Sequence, residues 1–127
     1  MRYEAVRETG HTKPMIFKIV ERTAWHAACR EGIYRGSADD RRDGFIHFSA
    51  AHQVRGTAAK HFKGIADLLL VAIDEAALGE KLVWEPSRGG DLFPHLHGFL
   101  PTSSAIWEKP LMLDADGVPV IPEDIAA

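Results

Sequence analysis

Six consecutive aliphatic residues, Leu68 to Ile73, constrain this chain more than any other feature. The run shows no alternation of apolar and polar positions. A strand with one wet face alternates, whereas a strand covered on both faces does not. The run is also far too short to cross a bilayer, which takes about 20 apolar residues. It therefore predicts a central strand sandwiched between two apolar layers.

The rest of the chain has to supply those layers. Met15 to Val20 is a second apolar run and reads as a strand. Thr23 is placed to cap a helix in which Trp25, Ala28 and Cys29 fall at i, i+3 and i+4, one buried stripe, with Gly32 as its stop. Residues 36–44 read as a polar loop. Phe45 to Ser49 reads as a strand, and Ser49 stands where it can cap a helix from Ala50 to about Phe62, with Ala51, Val54, Ala58 and Phe62 on one stripe. Short strands are expected at Leu82–Glu85 and Ala105–Leu113, and Asp116-Gly117 signals a turn. Two helices in the N-terminal half and several short strands after them predict an α+β fold with small mixed or antiparallel sheets.

All 127 residues read as one domain, with residues 1–14 a flexible lead-in and 114–127 a surface tail. Apolar residues make up 46% and charged residues 26%, a globular balance. The net charge of -3 gives no global attraction to nucleic acid or to an anionic membrane. One cysteine, Cys29, excludes an internal disulfide. The first residues carry no apolar signal core and no cleavage site, so a cytoplasmic location is expected and no membrane partner. Oligomeric state is left open by the sequence. Trp84 or Trp107 fits either a dimer face or the core.

Three segments carry the residues for chemistry. In Phe45-Ile46-His47-Phe48-Ser49, His47 and Ser49 share one face of a strand that opens into a helix. That arrangement suits a phosphate or a ribose hydroxyl, and it equally suits a capping serine beside a structural histidine. Glu85 closes a short strand between Trp84 and Pro86. If those neighbours restrict water, its carboxyl is raised toward acid/base duty; otherwise it is a solvated strand end. His95 and His97 flank Leu96 and project together, to orient a substrate or, with Glu85 or His47, to bind a metal. No other metal-ligand spacing supports a metal, and the site is read without one. Arg88, in the glycine-rich loop after Glu85, flanks the same mouth as Arg35, Arg41, Arg42 and Arg55, a set that suits an anion or, with Asp39, Asp40 and Asp43 interleaved, salt-linked ordering of the loop.

Taken in order, Trp25, Gly36-Ser37, Asp43 through Ser49, Gln53-Val54, Asp67 through Leu70, Trp84-Glu85 and Leu92 through Gly98 resemble the bacterial and plant family catalogued as domain of unknown function 952. The likeness covers roughly residues 16–112. That family is in turn similar, at the level of fold, to the ADP-ribosyltransferases, closest in layout to the tRNA 2′-phosphotransferase branch. The resemblance implies NAD bound in a cleft between two small sheets. His47, Ser49, Ser37 and Arg88 would then contact the nucleotide. Glu85 would act with His47 in catalysis, and His95, His97 and Trp84 would receive the substrate. The function expected is therefore an NAD- or nucleotide-binding transferase. A noncatalytic small-ligand or protein-binding module is the alternative, as is a metal-dependent hydrolase built on the histidines.

Overall fold

The computed structural model describes residues 14–125, without the side chain of Arg88. The expected lead-in therefore lies outside the described residues, apart from Pro14. In chain order the elements are β1 (Met15–Glu21), α1 (Arg22–Glu31), β2 (Ile33–Tyr34), α2 (Ala38–Asp43), β3 (Ile46–His47), α3 (Val54–His61), β4 (Leu68–Asp74), β5 (Leu82–Pro86), β6 (Leu92–Leu96), β7 (Leu100–Pro101) and β8 (Ala105–Leu111). The fold is α+β. Its strands form three small sheets, ordered β1-β4-β8, β2-β7 and β3-β6-β5, and every pairing is antiparallel.

β4 is the central strand that its sequence predicts. All six aliphatic residues are buried, and they alternate between two cores. Leu69, Val71 and Ile73 join Trp25, Tyr34, Phe48 and Leu96 on one side. Leu68, Leu70 and Ala72 join Phe17, Val54, Ala58 and Leu111 on the other. Burial of a Val, Leu or Ile side chain contributes about 1.5–3 kcal/mol, so this strand anchors both layers.

The helices depart from expectation in instructive ways. α1 is capped at Glu21 rather than Thr23, without a side-chain hydrogen bond, and ends at Gly32, whose φ of 91° permits the left-handed turn. Trp25 and Ala28 are buried but Cys29 is exposed, because the buried stripe is only one residue wide at that turn. The polar loop over 36–44 contains α2, a third helix in the N-terminal half. Ser37 and Asp40 close it with a reciprocal capping box.

Ser49 caps nothing. Its backbone pairs with Phe17 through two 2.8 Å hydrogen bonds, which ties the end of the β3 segment to the edge of β1. A turn follows, and α3 begins only at Val54, with Gln53 at its cap position accepting from the Ala50 N–H. The expected surface tail is likewise corrected in part. Asp114–Val118 forms the expected turn, but Ile121 and Ile125 are buried in the second core.

Candidate functional site

A cleft of about 270 Å³ opens between the edge of β1, helix α2, the β3–β6 pair and helix α3. Lys18, Asp40, His47, Ser49, Thr57 and His95 are among its lining residues. Its organising group is a buried carboxylate. Asp40 is only 3% exposed. It accepts from the His47 ring Nδ1 at 2.6 Å, from the His47 backbone N–H at 3.1 Å and from the Ser37 N–H at 2.9 Å. Lys18 Nζ lies 3.1 Å from Asp40 Oδ2, the oxygen that also accepts from Ser37, and donates to the His47 carbonyl at 2.7 Å.

Burial alone would push the Asp40 carboxyl up. The hydrogen bond from His47, the Lys18 ammonium and the two backbone N–H groups outweigh it and hold the carboxyl well below the usual carboxylate range. Burial likewise lowers Lys18, with Asp40 opposing the shift. The second ring nitrogen of His47, Nε2, lies 2.9 Å from Asp43. Both ring nitrogens thus face carboxylate oxygens.

His95 stands directly opposite His47 in the β3–β6 register, with ring centroids 5.5 Å apart. It is buried, and Phe45 stacks on it at 4.1 Å. Burial lowers its pKa, against the opposing pull of Glu85. Its Nδ1 contacts Glu85 Oε1 at 2.8 Å, and His97 Nε2 contacts the same oxygen at 2.8 Å. Those two contacts, with His97 the larger influence, hold the Glu85 carboxyl below its ordinary value rather than raised as its Trp and Pro neighbours suggested.

Of the residues expected at the site, His47, Ser49, Ser37 and His95 line the cleft, whereas Glu85, His97 and Trp84 do not. Ser49 Oγ is shared with Thr57 Oγ1 at 2.8 Å, and Ser37 is committed to the cap of α2. Trp84 projects to the opposite face of β5 from Glu85 and donates its indole N–H to Glu75. Trp107 packs on Phe17 at 5.9 Å, in the second core. The Arg88 side chain lies outside what is described. Among the described residues no group of three His, Cys, Asp or Glu side chains is arranged to hold a metal ion.

Lys18 and Asp40 were not singled out from the sequence. Both left a signal. Lys18 interrupts an apolar run in phase with Ile16 and Val20, so it has to point inward. Asp40 is the third residue after Ser37, the spacing of a capping box, which turns its carboxylate back toward the chain.

A family model described as "Protein of unknown function (DUF952)" matches residues 19–108. The chain belongs to that family. This DUF952 domain is 52% identical to protein CC0527 from Caulobacter crescentus, and its match to the crystal structure covers 84% of this chain and 93% of that one, with a TM-score of 0.81. A double-mutant form of CC0527 is 51% identical, with the same TM-score of 0.81. The solution NMR structure of CC0527 matches at a TM-score of 0.75 and 52% identity, over 84% of this chain and 91% of that one. No curated protein matches the chain. No helix among the described residues is long and apolar enough to cross a membrane.

Proposed function

We propose that this DUF952 domain binds the ribosyl part of NAD or a related nucleotide and acts as a transferase of the ADP-ribosyltransferase kind. One observation carries the reading: two histidines, each held by its own carboxylate, face each other across one cleft. The layout of a His- and Ser-bearing strand end, a helix and an aliphatic strand ending in Asp74 supports the same assignment. The cleft volume, about 270 Å³, lies just under the roughly 300 Å³ lower bound for ligand pockets, so it suits the nucleoside end of a dinucleotide rather than the whole.

The two histidines take different parts. His95 is neutral near pH 7 because burial lowers it. Its Nδ1–H donates to the ionised Glu85, which leaves Nε2 with the lone pair. Nε2 takes the proton of an acceptor hydroxyl as that oxygen bonds to the anomeric carbon, and nicotinamide leaves with the electron pair of the broken C–N bond. Glu85 is thus a positioning residue acting through His95. His47, fixed by Asp40, donates to the ribose or phosphate.

Binding of NAD, ADP-ribose, nicotinamide and a 2′-phosphorylated nucleotide to wild type and His47→Ala tests this. Binding of NAD or ADP-ribose that weakens at least about tenfold in His47→Ala supports the reading. Absence of binding by all four removes it.

A noncatalytic ligand-binding module is the second reading, favoured by the position of Glu85 outside the cleft lining. Such a module keeps its full function in Glu85→Gln, whereas the transferase loses turnover and retains binding.

A further inference from the structure

Arg42 and Asp43, which the proposed transfer step does not use, meet His47 at the cleft mouth. Arg42 Nε lies 3.0 Å from Asp43 Oδ1, and Arg42 Nη2 lies 3.3 Å from Asp43 Oδ2. His47 Nε2 lies 2.9 Å from the same Oδ2. A guanidinium fork and an imidazole nitrogen therefore converge on one two-oxygen anion. Arg forks match carboxylates and phosphates alike, because both present paired oxygens at the same spacing. Here the chain's own carboxylate fills the cradle.

The His47 side of the cradle does not depend on Asp43 to stay in shape. Asp40, buried, holds the other nitrogen of His47 at 2.6 Å. Asp39 also contacts Arg42, through Nη1 at 3.0 Å, in a pair more exposed than the one to Asp43. Asp43 itself is the last residue of α2, and its side chain is 33% exposed. Its partner Arg42 is 68% exposed. A pair this open to water is worth little, so turning the carboxylate out to solvent costs little. With Asp43 turned out, Lys18 and Arg42 balance the remaining lining carboxylates, Asp39 and Asp40, and the Arg42 fork and His47 Nε2 are left facing the cleft mouth.

We propose that Arg42 and His47 form an oxyanion site that takes a phosphate group of the ligand in place of the Asp43 carboxylate. This rests on the reading of the cleft as a nucleotide site, and it names what that site selects. A neutral nucleoside has no group to displace Asp43. A phosphorylated one does. Asp43 thereby acts as an internal competitor that sets the affinity for the phosphate.

The test is a titration of inorganic phosphate at constant ionic strength into wild type, Asp43→Ala, and Asp43→Ala combined with Arg42→Gln, followed by calorimetry and by the ring signals of His47. Removing a carboxylate that opposes the anion is expected to tighten phosphate binding about tenfold, and adding Arg42→Gln is expected to cancel the gain. No gain in Asp43→Ala, or a gain that survives loss of Arg42, overturns the proposal. If Asp43→Ala misfolds, Arg42→Gln alone, at a well-exposed side chain, decides the matter. It must weaken phosphate binding to the otherwise native chain, and unchanged binding overturns the proposal. ADP-ribose titrated in parallel separates the two claims. A phosphate gain without ADP-ribose binding keeps the oxyanion site and removes the NAD reading. ADP-ribose binding without a phosphate gain does the reverse.

Discussion

His47 and His95 face each other across the β3–β6 pair with ring centroids 5.5 Å apart, and each is anchored through Nδ1 to a different carboxylate, Asp40 for the first and Glu85 for the second. The two anchors differ in burial. Asp40 is enclosed, whereas Glu85 is partly open to water. That difference decides what each substitution does.

Asp40→Asn is expected to destabilise the protein strongly. It removes the only carboxylate that Lys18 contacts among the described side-chain pairs and leaves a buried ammonium uncompensated. Breaking a buried pair from one side costs about 3–5 kcal/mol. Urea denaturation at pH 7 measures it, and a loss below about 1 kcal/mol would contradict the role given to Asp40.

Acid should act in two steps. His95 has a lowered pKa in the fold, so the unfolded chain takes up a proton first as pH falls below about 6.5. Stability present above that pH then declines. Asp40 is also lowered, so a second and steeper loss begins near the ordinary carboxylate value of about 3.9 and continues downward. Unfolding free energy measured from pH 8 to pH 3 should show both, and His95→Gln should erase the upper step alone.

Gly36→Ala tests how closely Asp40 is packed. Gly36 has φ +103°, and an added Cβ would lie 2.8 Å from the Asp40 Cβ. Strain of this kind costs about 1–3 kcal/mol. The melting temperature should fall and the His47 ring signals should move, because Asp40 carries His47. Unchanged His47 signals would show that the contact does not transmit.

Glu85→Gln should alter His95 without collapsing the fold. Glu85 raises the His95 pKa against the larger effect of burial. Its replacement by a neutral amide should lower that pKa further, which imidazole NMR over a pH series reads directly. An upward shift would contradict the assigned contact.

The scaffold was more legible in the sequence than the site. The unbroken run Leu68–Ile73 announced a strand covered on both faces, because burial of both faces removes the polar half of the pattern. Helix starts were less legible. Ser49 has a good capping side chain, but its backbone is used by Phe17, and tertiary pairing prevailed over local preference. His47 and His95 were visible because each stands near the end of a short apolar segment that reads as a strand. Glu85 was singled out, but its pKa direction was read the wrong way. The sequence shows its neighbours Trp84 and Pro86 along the strand, whereas His95 and His97 meet it across the β5–β6 pair. Lys18 escaped notice for the same reason: only the fold brings α2 against β1 and supplies its counter-ion.

Whether the two histidines serve one nucleotide site is tested by titrating ADP-ribose into wild-type protein and observing the ring nitrogens of His47 and His95. A shared site predicts saturable shifts of both rings with one binding constant, since both line one cleft. Binding that leaves both rings unmoved, or no binding at all, would contradict it.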